Sequence, residues 1–284
     1  MPPMTRSTAE GHAAPGRGFL ESGWLVLPLI ATLGGTWAFS RPHLPEDPAT
    51  LAIALALVVG GWQGFWLTLT RADWASPLAE WQDWQEAAPL PAWPYLRPGT
   101  PGAYLHRRLS QASAWWRHVG RSALLRPLAR GAVAFTVTLL LSAALGRHAL
   151  LLSLGYITLT ELALLWHEGQ GEVGGLWEGL ALIGLPWMLG AVLIAGEGTA
   201  PIISGLALAL TISLFAQRSW WALLGPALGA AYLILRGREM AAGWLLLLAL
   251  PGFIVLTGRP SAESHRQAVG PWVIGMVALV AWVL

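Results

Sequence analysis

The sequence predicts an all-α, polytopic membrane protein of about nine transmembrane helices, with the N-terminus inside and the C-terminus outside. Three observations carry this expectation. Nine apolar stretches follow one another, most near the ~17–25 residues that cross a hydrocarbon core, and only one sizeable polar stretch, 71–130, interrupts them. Charged residues make up 11% of the chain, where a soluble domain carries about a quarter, and the mean hydropathy is +0.55. Several of the 18 Trp (Trp24, Trp66, Trp166, Trp177, Trp220 and Trp221) stand at the ends of apolar stretches, as an interfacial belt requires.

Taken in order, residues 1–21 read as a disordered cytoplasmic N-terminus and 22–284 as a single transmembrane domain. Spans are expected at 22–39, 50–70, 131–146, 149–166, 176–195, 200–216, 220–235, 240–257 and 270–284. Arg is concentrated in the N-terminus, the 71–130 stretch and the 258–269 loop, which assigns those segments to the cytoplasm of an inner membrane. Arg236 and Arg238 dissent from this orientation but are outnumbered.

The 71–130 stretch reads as a loop of amphipathic helices after the second span. Trp74, Leu78 and Trp81 share one helical face, with Trp84 beside them. A Pro-rich turn follows, and then a second helix aligns Leu105, Leu109, Ala112, Trp116 and Val119, with Arg107, Arg108, Arg117 and Arg121 largely on its other faces. A basic amphipathic helix of this kind lies in the headgroup plane and favours anionic lipid. The pair either docks on the membrane or caps a cavity open to the cytoplasm. Glycines at Gly60, Gly61, Gly64, Gly171, Gly174, Gly175, Gly225 and Gly229 predict close helix approaches.

Composition excludes several chemistries. There is no Cys, hence no disulfide framework, thiolate metal site or catalytic thiol, and no Lys for a Schiff base. The net charge of +2 gives no reason to expect a nucleic-acid partner. His148 and His167 occupy span ends and no His is central to a span, so no haem is expected. Ionisable residues within spans are costly and mark candidate sites. Glu161, with only Thr158 and Thr160 as local partners, is a candidate for a pocket-facing group, whereas Glu178 either snorkels or joins it.

Tyr156, the Gly169-Gln170-Gly171-Glu172 turn and the Gly-studded run from Leu176 to Gly184 resemble the middle of UbiA-type intramembrane prenyltransferases. Trp24 to Pro28 followed by Gly34-Gly35 is similar to the start of that family's first helix, and the layout of spans is similar along nearly the whole chain. The resemblance implies a UbiA-like bundle that binds an isoprenoid diphosphate through Mg²⁺ held by two Asp-rich motifs, since bridging ions need carboxylate oxygens. The first motif falls at 69–77, where only Asp73 matches, and the second falls near 215–219, which has no acid. The whole chain holds three Asp, and Glu80, Asp83 and Glu86 at helical i, i+3, i+6 spacing are the available replacements.

The expectation is therefore a divergent UbiA-like membrane protein without Mg²⁺–diphosphate catalysis. It would bind an isoprenoid- or quinone-type chain, or serve as a subunit or assembly partner of a membrane complex. Its candidate ligand-binding residues are Arg71, Tyr156, Glu161, Glu172, Glu178 and Arg218, the two Arg being suited to bidentate anion contact. One alternative is an active prenyltransferase using Mg²⁺ with Asp73, Glu80 and Asp83 as candidate catalytic residues. The other is a permease-like transporter subunit whose 71–130 helices dock on a separate ATPase.

Overall fold

Long runs of Leu, Ala and Val satisfy their own backbone groups as helices, and the protein follows that rule wherever it is described. A computed structural model describes residues 17–40, 48–91, 99–166, 175–196, 198–215, 222, 224–257 and 262–284, and every regular element among them is helical. In order these are α1 (Arg17–Phe39), α2 (Pro48–Ala56), α3 (Gly64–Arg71), α4 (Ala75–Asp83), α5 (Pro101–Trp115), α6 (Arg121–Leu145) and α7 (Arg147–Trp166). They continue with α8 (Gly175–Gly179), α9 (Leu185–Ala195), α10 (Thr199–Phe215), α11 (Leu224–Leu235), α12 (Glu239–Thr257) and α13 (Ala262–Val283). Single π-helical turns, Leu57–Gln63, Trp116–Gly120 and Leu180–Gly184, join α2 to α3, α5 to α6 and α8 to α9 without a break.

Among the described residues, Pro48–Thr70, Pro101–Leu145 and Leu176–Ala195 are each long and apolar enough to cross a membrane, and five shorter apolar helices accompany them. The chain is a membrane protein. The first helix begins at Arg17, ahead of the expected start at residue 22, and residues 1–16 of the expected disordered terminus lie outside the described residues. Also outside lie His167, Gly169, Gln170, Gly171, Glu172, Gly174, Arg218, Trp220 and Trp221, and the side chains of Trp24, Arg71 and Trp166.

Glycine makes the tightest connections. Gly146, at φ 100, is the whole link between α6 and α7, and Gly237, at φ 70, turns α11 into α12 while the Arg238 N–H reaches back to the Leu233 carbonyl at 2.9 Å. Both positions need the left-handed backbone that a side chain resists.

Two apolar cores share α9 and the π-helical turn before it. One gathers Leu27, Trp187, Ile212, Phe215, Leu245 and Met276 from α1, α9, α10, α12 and α13. The other gathers Leu57, Trp62, Trp66, Tyr156 and Leu189 from the second span, α7 and α9. Buried hydroxyls do not disturb these cores, because Thr32, Thr36, Thr138, Thr160 and Thr211 each donate to a carbonyl four residues back in their own helix. Two buried indoles, Trp62 and Trp187, are also paired, whereas the buried Nε1 atoms of Trp84 and Trp115 have no hydrogen-bond partner among the described residues. Trp62 donates to the Ser153 hydroxyl at 2.9 Å and Trp187 to that of Ser204 at 3.0 Å.

Helix α1 crosses α9 at glycines on both helices. A methyl group added at Gly35 would fall on the Trp187 carbonyl oxygen, and one at Gly190 on that of Thr32. In the same way Gly225 lies against the Thr211 carbonyl and Gly61 against the Thr138 side chain. Gly60, by contrast, has nothing within 4 Å of where a Cβ would stand. Trp66 is only 5% exposed and faces the second core, so it is a packing residue instead of the interfacial Trp expected from its position.

The largest departure from expectation concerns the polar stretch. Its second helix is not a separate surface element that ends at Arg130. Pro101–Leu145 is one continuous helix of 45 residues, about 68 Å long, more than twice a ~30 Å hydrocarbon core. Thr100 caps its start, the Thr100 hydroxyl accepting from the Ala103 N–H at 3.3 Å, and Pro101 occupies the first turn. Arg121 to Arg130 interrupt the hydrophobic pattern but not the helix, since Arg is a good helix former.

Candidate functional site

The expected acidic site does not assemble. Asp73 is exposed, and its Oδ1 accepts from the Ser76 N–H at 3.0 Å, so the carboxylate caps the start of α4. Glu80 and Asp83 are exposed on α4. That helix ends at Asp83, so Glu86 falls on the extended segment that follows and the expected i, i+3, i+6 alignment does not form. Among the described residues no group of three His, Cys, Asp or Glu is placed to hold a metal ion. Asp73→Ala should weaken α4 by about 1 kcal/mol, read as faster amide exchange over residues 75–83, while Asp73→Asn retains most of the cap.

Of the expected ligand-binding residues, Glu172, Arg218 and the Arg71 side chain lie outside the described residues, and Tyr156 and Glu161 face opposite sides of one helix. Tyr156 is buried, its ring stacked on Trp62 with centroids 4.8 Å apart and planes 16° from parallel. Glu161 is exposed on the opposite side of α7, together with Thr158, while Thr160 is buried and donates to the Tyr156 carbonyl at 2.8 Å. Among the described residues, Glu161 therefore faces away from the core that holds Tyr156. Glu178 is half-buried in the first turn of α8, and Trp177 beside it packs against the second core.

Two other features are built with more care. The first is an arm formed by the polar stretch. The second span and α6 run antiparallel, with Gly61 beside Thr138, Gly64 beside Ala134 and Thr68 beside Gly131. The end of α3 at Arg71 is thus level with roughly residue 127. The helix from Pro101 to that level extends about 40 Å further. Its π-helical turn and Pro127 are the positions where such a helix bends.

Residues 75–91 brace this arm. The Trp81 ring meets Trp115 edge-on at 5.6 Å and Trp84 stacks on His118 at 6.1 Å. Beyond them the Ala88 N–H donates to the Ser110 carbonyl at 3.1 Å, the Ser110 hydroxyl donates to the Ala88 carbonyl, and His106 Nε2 lies 3.2 Å from the Pro91 carbonyl. Small Ser110 and Ala114 make this backbone-to-helix contact possible, and with Gln111 they form the buried face. Of the apolar stripe, Leu105 is 51% and Leu109 42% exposed beside Arg107 and Arg108.

The second feature is a groove of about 340 Å³ between α1, the start of α2 and the end of α13. Leu33, Trp37, Leu51, Ala278 and Trp282 line it. Its two hydroxyls are already engaged, Thr36 donating to the Thr32 carbonyl at 2.9 Å and Ser40 to the Trp37 carbonyl at 3.2 Å, which leaves an apolar surface. The Trp pair in this groove was visible in the sequence, since Trp37 and Trp282 both stand near the ends of apolar stretches. Compared with protein-family models, curated proteins and solved structures, the chain gives no match.

Proposed function

We propose that the chain is a non-catalytic subunit or assembly partner of a membrane complex, and that its arm is the docking element. In this reading nine spans form a multi-pass bundle of the inner membrane with the N-terminus inside and the C-terminus outside. Its layout resembles that of UbiA-type prenyltransferases but lacks their Mg²⁺–diphosphate machinery. One observation carries the proposal: a braced helix reaching about 40 Å past the second span, with Arg107, Arg108, Arg117 and Arg121 exposed beside Tyr104, Leu105 and Leu109. The Arg excess assigns this arm to the cytoplasm, where exposed apolar side chains among cations suit a protein surface of opposite charge.

The test is co-purification of the full chain from its native membrane in mild detergent. A stoichiometric partner is expected with the wild-type protein. In the Arg107→Glu/Arg108→Glu double variant its recovery should fall about tenfold, because reversed rim charges slow association and oppose docking. Unchanged recovery in that variant would count against a docking role for the arm. If the partner proves to be an ATPase, the permease-like subunit becomes the more specific form of the same reading.

The groove between α1 and α13 favours a second reading, in which the bundle holds an isoprenoid- or quinone-type chain. An apolar cleft walled by Trp37 and Trp282, with its hydroxyls already satisfied, suits a hydrocarbon ligand better than a charged one. Membrane lipid is the ordinary occupant of such a surface, so a specific ligand would have to displace it.

A further inference from the structure

The two faces of α7 differ in a way that neither the arm nor the groove explains. Ala149, Ser153, Tyr156, Ile157, Thr160 and Ala163 are buried in the bundle. Leu151, Leu154, Gly155, Thr158, Glu161 and Leu162 are all exposed, and their three- and four-residue spacing makes them one continuous stripe. Two features separate this stripe from an ordinary lipid-facing surface. Gly155 has nothing within 4 Å of where a Cβ would stand, and Thr158 follows it, so the middle of the stripe is a shallow notch between leucines. Helices that pack against each other in lipid approach at such notches. One turn beyond the notch stands a carboxylate, that of Glu161, and no described residue bonds to it.

Arg147 opens α7, and Glu161 lies about 21 Å further along the helix axis. In a hydrocarbon core ~30 Å thick that depth is still within the membrane. Carboxylates at such depth face a bundle interior or a water-filled cavity, or they meet a partner of opposite charge. The exposed face of α7 is neither interior nor cavity, which leaves the partner. Resting on the membrane-spanning reading of this helix, we propose that the stripe docks a transmembrane helix of another protein that carries an Arg or Lys at the depth of Glu161. A second copy fits less well. Two copies related by an axis normal to the membrane would bring Glu161 against Glu161, and like charges at close range are unfavourable. Lipid tails offer no donor at all.

The chain has no Cys, so Thr158→Cys introduces a single thiol at the notch and makes a clean probe of self-association. Photo-crosslinking residues are placed at Leu154 and Leu162 in the full chain within its native membrane, and at Leu140 on α6, 67% exposed, for comparison. The proposal expects one protein adduct from positions 154 and 162 and not from 140, with the crosslink mapped to a transmembrane helix bearing Arg or Lys. Glu161→Leu and Glu161→Arg should each lower that adduct at least about tenfold, and Glu in place of the partner's basic residue should restore it for Glu161→Arg. Because Glu161 bonds to no described residue, these variants should elute and melt like the wild type, which separates lost docking from lost folding.

Three results would overturn the proposal: adducts to lipid alone, an adduct indifferent to Glu161→Leu and Glu161→Arg, or a disulfide-linked dimer from Thr158→Cys. Release of the protein from membranes by alkaline carbonate would instead defeat the membrane-spanning reading, whatever the crosslinks show.

Discussion

Gly190→Val and Gly35→Val should each cost more than about 3 kcal/mol, because α1 and α9 meet there backbone against backbone. At Gly190 the new side chain would occupy the position of the Thr32 carbonyl oxygen, and at Gly35 that of the Trp187 oxygen. Neither neighbour is the end of a flexible side chain, so the helices must separate. Trp187, fully buried between them, would then lose its packing. Thermal melting in detergent, followed by intrinsic Trp fluorescence, should report a fall of roughly 10 °C for either variant. Gly60→Ala is the matched comparison, since nothing lies within 4 Å of its Cβ position, and it should melt close to the wild type. A wild-type melt for Gly190→Val would mean that the α1–α9 crossing is not as described.

The second large effect is expected at the stacked pair in the other core. Trp62 is 1% exposed, lies 4.8 Å from the Tyr156 ring and donates to Ser153 from a different span, so Trp62→Ala should cost about 3–5 kcal/mol. Tyr156→Ala should cost nearly as much, again through the cavity it leaves. Tyr156→Phe keeps the ring and should cost under about 1.5 kcal/mol in the same melting assay. This contrast decides the role of Tyr156, which by resemblance was expected to bind ligand. Loss of ligand retention in Tyr156→Phe, with stability unchanged, would restore the binding role.

Helical phase explains why part of the candidate site was legible and part was misjudged. Tyr156 and Glu161 are five residues apart, which is about 140° around a helix, so they could not both face one pocket if α7 is regular. That signal was present in the sequence. The carboxylates on α4 misled for another reason: periodicity through Glu80, Asp83 and Glu86 assumes a helix, and the helix stops at Asp83. No local pattern announces the bracing of the arm. It depends on the Ala88 backbone meeting Ser110, which is distant in sequence and distinguished only by being small. The apolar helices themselves were legible because length and composition are enough to mark them. The continuity of Pro101–Leu145 was not, because Arg scattered from Arg107 to Arg130 lowers hydropathy while leaving helix propensity high.

The same distinction bears on chemistry. A prenyltransferase of the resembled type would need carboxylates brought together across a cavity, whereas Asp73 serves as a helix cap and Glu80 and Asp83 are exposed along one short helix. The most direct measurement is diphosphate release from a long-chain isoprenoid diphosphate by the purified full-length protein with Mg²⁺, compared with Asp73→Asn. A subunit without catalysis should give no Mg²⁺-dependent release, with the wild type and Asp73→Asn indistinguishable. Mg²⁺-dependent release that disappears in Asp73→Asn, in protein that melts like the wild type, would contradict that reading and reinstate the enzyme.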